Sequence, residues 1–308
     1  MNEGIEGGHW VETWNGLITR SQGGFYEVTF NDRCGSILCR ARGRFKKEQI
    51  VPLVGDRVHV QQTTEHEGVI EAIAPRTSEL IRPPVANLTQ AMLIFSMEQP
   101  TFNPVLLDRI LLHMEKAGIR SFIVLTKIDL CEDDGEVMHW KELYESLGYP
   151  VFLSSIPLDK NNCIPIKERL QGEITAVAGQ SGVGKSTLLN SLFPTLQLET
   201  SAISQKLQRG RHTTRHVQLY PVEESGWIAD TPGFSSLDLP VMEPWMLSNY
   251  FVEMQPWKER CKFRQCLHDH EPDCAIKARV TSGEISVERY ERYLQFLQEI
   301  KDQYQRRY

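Results

Sequence analysis

The sequence predicts a multidomain chain: a small N-terminal β-barrel, then a doubly wound α/β domain, then a helical C-terminal module. Three observations predict it. Short strands separated by turn residues fill positions 14–75 with no convincing helical period. From about Ser78 to Ser236, apolar strands alternate with amphipathic helices. After about Leu237 the chain is helical and polar, and a cluster of cysteines and histidines interrupts it. These shifts place domain boundaries at 1–76, 77–236 and 237–308. The 308 residues are enough for two or three such domains.

In the first region, strands are expected at Phe25–Phe30, Ser36–Ala41, Asp56–Gln62 and Gly68–Ile73. Gly23-Gly24, Asn31-Asp32 and Gly55-Asp56 supply turn chemistry between them. A barrel of about five strands fits, with the OB-fold leading. In the second region, strands are expected at Ala91–Phe95, Ser121–Leu125, Val151–Leu153 and Ile174–Ala178. Helices are expected at Pro104–Ala117, Trp140–Leu147 and Ile164–Leu170. The first of these gathers Leu106, Leu107, Ile110, Leu111 and Met114 on one face. In the third region, Ile285–Tyr304 has a helical period with Val287, Tyr290, Tyr293, Leu294 and Leu297 on one side.

The segment Gly179, Gln180, Ser181, Gly182, Val183, Gly184, Lys185, Ser186 matches G-x-x-x-x-G-K-S. It follows an apolar strand and opens a helical run through Thr187 and Leu188, the context the motif requires. Its glycines let backbone N–H groups turn toward phosphate oxygens, and the helix N-terminus adds a favourable dipole. Lys185 is expected on the β- and γ-phosphates, and the Ser186 hydroxyl on Mg²⁺. Downstream, Asp230-Thr231-Pro232-Gly233 follows another apolar stretch. Asp230 suits an outer contact to Mg²⁺, and the Gly233 N–H suits the γ-phosphate.

Thr126-Lys127-Ile128-Asp129 follows the strand Ser121–Leu125. A carboxylate there accepts from N1–H and the exocyclic amine of guanine, a donor pair that adenine lacks, so Asp129 selects GTP. Lys127 is expected to lay its stem over the base. Thr126 stands where the common motif has Asn, and its hydroxyl is expected to donate to a ring nitrogen. Ser154 and Ser155, after the next strand, resemble a second base-contacting loop. The base motif thus precedes the phosphate loop, the reverse of the common order. The sheet closes only if it is circularly permuted, with the former termini joined between about Leu170 and Ile174.

Cys261, Cys266 and Cys274, with His268 or His270, place four soft or borderline ligands within a short span, which suits a closed tetrahedral Zn²⁺ site. The other cysteines, at 34, 39, 131 and 163, are scattered. The net charge of -6 argues against a uniformly basic nucleic-acid binder. Any nucleic-acid contact must therefore come from local zones, and Arg40–Lys47, Lys206–Arg215 and Lys258–Arg264 could supply it, although a charge run by itself is more often a solvated face. Residues Met1–Trp10 have neither the basic start nor the apolar core of a signal peptide, and no apolar run is long enough to cross a bilayer. A cytoplasmic protein is expected.

Together, VPLVGDRV at Val51–Val58, TKID, GQSGVGKST, GRHTTRH at Gly210–His216, DTPGF and the cysteine cluster resemble the RsgA (YjeQ/YloQ) family of permuted GTPases that act in small-subunit assembly. The resemblance covers nearly the whole chain. It implies an OB-fold, a circularly permuted P-loop GTPase domain and an α-helical zinc-binding domain. It further implies slow GTP hydrolysis that rises on the small (30S) ribosomal subunit, contact with 16S rRNA, late subunit maturation and release of assembly factors. It favours His268 over His270 as zinc ligand. Gly210–Thr214 would be the first switch, with Thr213 or Thr214, taken here as Thr214, completing the Mg²⁺ shell. Phe234 stands where signalling GTPases keep a water-orienting Gln, and the family points to His212 in its place. A monomer is expected.

Overall fold

A computed structural model describes residues 15–31, 35–81, 83–155, 160–196, 217–222, 225–230 and 238–306. The chain forms two compact units, Met1–Leu88 with Thr214–Tyr220, and Thr89–Thr213 with Pro221–Tyr308.

The first unit is built on five strands: β1 (Gly16–Gln22), β2 (Phe25–Phe30), β3 (Ser36–Ala41), β4 (Arg57–Gln62) and β5 (Glu67–Ile73). Their hydrogen-bonded order is β1-β2-β3-β5-β4, and β4 returns to pair with β1, which closes the barrel. All these pairings are antiparallel except β3 with β5. This is the expected OB-type barrel. Alternation along each strand sends Ile18, Val28, Ile37, Cys39, Val58, Val60 and Ile70 inside. A short hairpin follows, β6 (Glu79–Ile81) and β7 (Pro84–Ala86).

The VPLVGDRV segment makes one corner of this unit. Asp56 is fully buried; its carboxylate accepts from the Leu53 N–H and pairs with Arg76 at 2.8 Å. Gly55 has φ 93°, and a Cβ there would lie 2.0 Å from the Ala86 carbonyl oxygen, so only glycine fits the turn. Two features depart from the expectation of an all-β region with a free basic run. Residues Gly43–Lys47 form a short helix, α1, pinned by buried Phe45. Glu71 of β5 pairs with Arg42 at 2.7 Å, and its backbone carbonyl accepts from Arg44. The acid that meets these arginines lies in a distant strand, out of view of a local charge count. The unit is joined by Gln218, the first residue of β12 (Gln218–Val222), which pairs with Arg20 of β1.

The second unit contains β8 (Gln90–Ser96), α2 (Pro104–Ala117), β9 (Arg120–Thr126), α3 (Asp134–Ser146), β10 (Val151–Leu153), α4 (Lys160–Leu170), β11 (Ile174–Ala178), α5 (Lys185–Leu192) and β13 (Gly226–Asp230). The order β10-β9-β8-β11-β13 is parallel throughout. Every residue of β8 and β11 is buried, as expected of strands covered on both faces. The expected helical face of α2 is buried in full. Asn103 caps its N-terminus by accepting from the Leu106 N–H, and left-handed Gly118 ends it. The chain runs outward through β8, β9 and β10, then restarts at β11 beside β8. That restart is the topological switch point, where open α/β sheets hold their ligands.

The C-terminal part of this unit holds a 3₁₀ segment (Pro244–Tyr250), a turn of helix α6 (Gln255–Lys258), α7 (Ala275–Thr281) and α8 (Val287–Gln305). The long helix forms where the sequence predicts, but its buried stripe differs. Val287 is 55% exposed, whereas Arg289, Arg292, Tyr293, Phe296, Leu297 and Ile300 are buried. Asp108 of α2 explains the two arginines. It is buried and pairs with Arg289 at 2.5 Å and with Arg292, while the Tyr144 hydroxyl donates to it at 2.8 Å. Glu253 adds a second carboxylate to Arg289 at 2.8 Å. Burial opposes the Arg289 charge, but these carboxylates more than offset it and hold the guanidinium protonated.

Candidate functional site

Parallel pairing puts the carboxyl ends of β8, β9, β10, β11 and β13 along one edge. Ser96 lies beside Thr126, Leu125 beside Leu153, and Val177 beside Asp230. The residues after those strand ends are the ones the sequence singled out: Lys127–Asp129 after β9, Ser154–Ser155 after β10, and Gly179–Ser186 after β11. The rotated motif order therefore converges on one edge in space.

The phosphate loop is packed too tightly at its start for any side chain. A Cβ on Gly179 would sit 2.0 Å from the Ile94 carbonyl oxygen of β8. Gly182 and Gly184 take φ values of 84° and 92°, the left-handed region that turns successive N–H groups to one side. Val183 points the other way and is fully buried in the core beneath the loop. Lys185 folds back over the loop, donating to the Gly179 carbonyl at 2.9 Å and the Gln180 carbonyl at 2.6 Å. Ser186 and Thr187 occupy the first turn of α5.

The base motif is tied to this loop by two side chains. The buried Thr126 hydroxyl lies 2.6 Å from the Val183 carbonyl and 3.2 Å from that of Phe95. A hydroxyl has one proton to give, and here backbone carbonyls take it. Thr126 thus braces the loop, and the expected donation to a base nitrogen is not what the geometry supports. Lys127, in the left-handed region at φ 55°, reaches the Gly182 carbonyl at 2.8 Å and also donates to the carbonyl of Gln99. Gln99 was not singled out in the sequence, since a backbone acceptor leaves no side-chain signature. Ile128 and Asp129 begin a 3₁₀ turn, and Asp129 is exposed at the rim. Ser154 donates its backbone N–H to Leu125 at 2.8 Å, yet its buried hydroxyl has no partner among the described residues. A glycine cradle that a Cβ would fill, and an orphaned buried hydroxyl on the same edge of the sheet, fit a bound nucleotide.

Of the remaining expected residues, Asp230 ends β13 beside Val177. His212, Thr213, Thr214 and Gly233 lie outside the described residues, as do Phe234 and the basic zone at 206–215.

The cysteine cluster assembles as the spacing implies. One ligand atom each from Cys261, Cys266, His268 and Cys274 lie within 4.8 Å of one another. Cys261 Sγ is 3.9 Å from Cys274 Sγ, and His268 Nδ1 is 3.5 and 3.4 Å from those two sulfurs. A tetrahedron with metal–sulfur bonds of about 2.3 Å has edges of about 3.8 Å. The four donors therefore surround a space of the right size for a metal ion. Burial pushes the Cys266 thiol up to about 12 and the His268 imidazole down to about 4. The imidazole is thus held in its ligating neutral form, and a thiolate here needs a cation. His270 points to solvent and lies outside the cluster. Backbone partners hold the loop: Tyr290 donates to the His268 carbonyl at 2.7 Å, Tyr293 to that of Leu267 at 2.9 Å, and Glu271 accepts from the N–H groups of Leu267 and Asp269.

The profile of the RsgA GTPase family matches residues 73–240, and that of the RsgA N-terminal domain matches 15–70. The chain belongs to the RsgA GTPase family. Relatives named small ribosomal subunit biogenesis GTPase RsgA are similar along nearly their full length. The one from Halalkalibacterium halodurans is 46% identical, covering 95% of this chain and 99% of the relative. The one from Bacillus subtilis is 45% identical, covering 93% and 97%. The crystal structure of YloQ, described as a circularly permuted GTPase, superposes with a TM-score of 0.79 at 40% identity over 97% of this chain and 99% of that one. YjeQ from Thermotoga maritima gives 0.81 at 33% identity over 93% and 98%. The protein is accordingly a GTPase of the RsgA family, and its rotated motif order is the permutation expected from the sequence. Among the described residues, no helix is long and apolar enough to cross a membrane.

Proposed function

We propose that this RsgA-family GTPase acts on the small (30S) ribosomal subunit late in its maturation, turning GTP over slowly alone and faster on the subunit, and so helping assembly factors leave. The observation that carries the nucleotide half is the double tie from Thr126 and Lys127 to the Val183 and Gly182 carbonyls. It makes base recognition and phosphate binding one structure. The ribosomal half is supported by the names of relatives 46% identical over most of the chain.

In this reading Asp129 accepts from the guanine edge, with Ser154 and Ser155 closing the other side of the base. The N–H groups from Gln180 to Thr187 receive the phosphates. Lys185 exchanges its two loop carbonyls for β- and γ-phosphate oxygens. Ser186 and Thr214, or Thr213 in its stead, would hold Mg²⁺, which would supply charge neutralisation at those phosphates, with Asp230 in outer contact. The Gly233 N–H meets the γ-phosphate, and His212 orients the attacking water. Imidazole is suited to that task near neutral pH. Cys261, Cys266, His268 and Cys274 hold one structural Zn²⁺. We assign residues 1–76 to an RNA-binding barrel, 77–236 to the GTPase domain and 237–308 to the zinc-binding helical domain. Contact with 16S rRNA falls to Arg40, Lys46 and Lys47 on the barrel and to Lys258–Arg264 beside the metal. The enzyme works as a cytoplasmic monomer.

The test is GTP turnover with and without purified small subunits, for the wild type and His212→Ala. The wild type should be stimulated, and the variant should keep GTP affinity while losing the stimulated rate. Absence of stimulation by subunits of any maturity would end the ribosomal reading. Full stimulation of the variant would end the role of His212 alone.

A further inference from the structure

The loop between the first two metal ligands has a feature that neither folding nor nucleotide binding uses. Residues 262–265 are all exposed, while the flanking Cys261 and Cys266 are drawn inward to the cluster. At the crest stands Phe263, 46% exposed. It is not among the described residues of the C-terminal core cluster, and the Lys262 ammonium lies over its ring at 6.0 Å. A single exposed apolar side chain is ordinary on a protein surface; what sets Phe263 apart is the charge around it.

The surroundings specify what covers it. Lys258, Arg260, Lys262 and Arg264 recur at every second position around Phe263. Acids are present too, but Glu259 is solvent-exposed, and Asp273 meets Lys262 in an exposed pair at 3.0 Å, which salt and competing phosphates readily open. Trp257, packed against the C-terminal core, has two guanidinium groups over its ring, Arg260 at 4.7 Å and Arg279 at 4.0 Å from its centre. An exposed aromatic ring flanked by the exposed cations Lys262 and Arg264 suits a base and the phosphates beside it, whereas an apolar protein partner would leave those two cations facing an uncharged surface.

We propose that Phe263 is a stacking platform for one unpaired nucleobase, with Arg264 and Lys262 on the flanking phosphates. This rests on the proposed ribosomal function, and it adds a residue and a mode of contact: a splayed base from a loop or bulge of RNA rather than a duplex. The loop is fixed before it binds, because the cluster holds both of its ends, so little ordering entropy is lost on contact.

The experiment measures binding of the full-length protein to small subunits with a non-hydrolysable GTP analogue, across a salt series, for the wild type, Phe263→Ala, Phe263→Leu, Phe263→Tyr and Arg264→Ala. Metal content and subunit-free GTP turnover serve as folding controls and should not change. Phe263→Ala and Phe263→Leu should each weaken binding at least about fivefold at every salt concentration. Phe263→Tyr should bind as the wild type does. Arg264→Ala should instead flatten the dependence of log affinity on log salt by about one unit. If the wild type fails to bind subunits, the ribosomal function falls. If it binds and Phe263→Ala binds equally well, the platform alone falls. If Phe263→Leu matches the wild type while Phe263→Ala does not, the contact is an apolar one with protein, and stacking is overturned.

Discussion

The nucleotide site and the cysteine cluster both rest on short loops, but the loops are held in opposite ways. The phosphate loop is shaped from outside. Glycines let it approach β8, Thr126 and Lys127 hold its carbonyls, and Lys185 sits across it on bonds that phosphate oxygens can replace. The cluster is shaped from inside, by four side chains whose ligand atoms lie within 4.8 Å of one another. The first arrangement keeps its form while a ligand comes and goes. The second has no form worth its desolvation unless a cation is present, since burial resists a thiolate at Cys266 and charge on His268. Exchange and permanence are thus written into which atoms do the holding.

The largest effect should come from breaking the permanent site. Structural zinc contributes apparent binding energies on the order of 10 kcal/mol in small modules. A strong chelator, or Cys266→Ser, should therefore unfold the segment around 255–281, seen as lost helical circular dichroism with one equivalent of metal released. Intact helicity after complete metal removal would mean that the apolar core of Phe251, Tyr293 and Phe296 suffices alone. Metal loss should also become easier as pH falls, because each thiolate must take up a proton to leave.

Next comes the rim of the exchangeable site. Asp129→Ala should erase the preference for GTP over ATP, a loss on the order of 10⁴ in discrimination, read from competition binding. The phosphate loop should stay intact, because Asp129 does not brace it. Smallest is the brace itself. Thr126→Val removes a buried hydrogen bond and should cost about 1–3 kcal/mol of stability and weaken GTP and GDP alike. A selective loss of guanine over other bases would instead return Thr126 to direct base contact.

Much of this was legible in the sequence, for stated physical reasons. Strands β8 and β11 read as continuous apolar runs because both faces are covered. The phosphate loop declared itself through glycine, which is needed where backbone meets backbone. The cluster was readable because few residue types bind soft metals. What escaped depended on partners remote in sequence. Arg289 and Arg292 were read past in choosing the buried face of α8, since an arginine is by default solvated, and only Asp108, far up the chain, reverses that. Glu71 was equally invisible to a count of charge along 40–47. The Thr126 proton was assigned to the ligand because the competing acceptor, the Val183 carbonyl, is backbone.

Asp108 also has a mechanical meaning. It projects from α2, the helix that follows β8, and β8 lies directly against the strand that launches the phosphate loop. Its two arginines come from α8, 19 residues long. Sliding either helix would strand buried charges, at a cost of several kcal/mol. The joint therefore transmits load rather than slipping. A tug on the last helix of the chain is felt as a tug on the frame beneath the nucleotide.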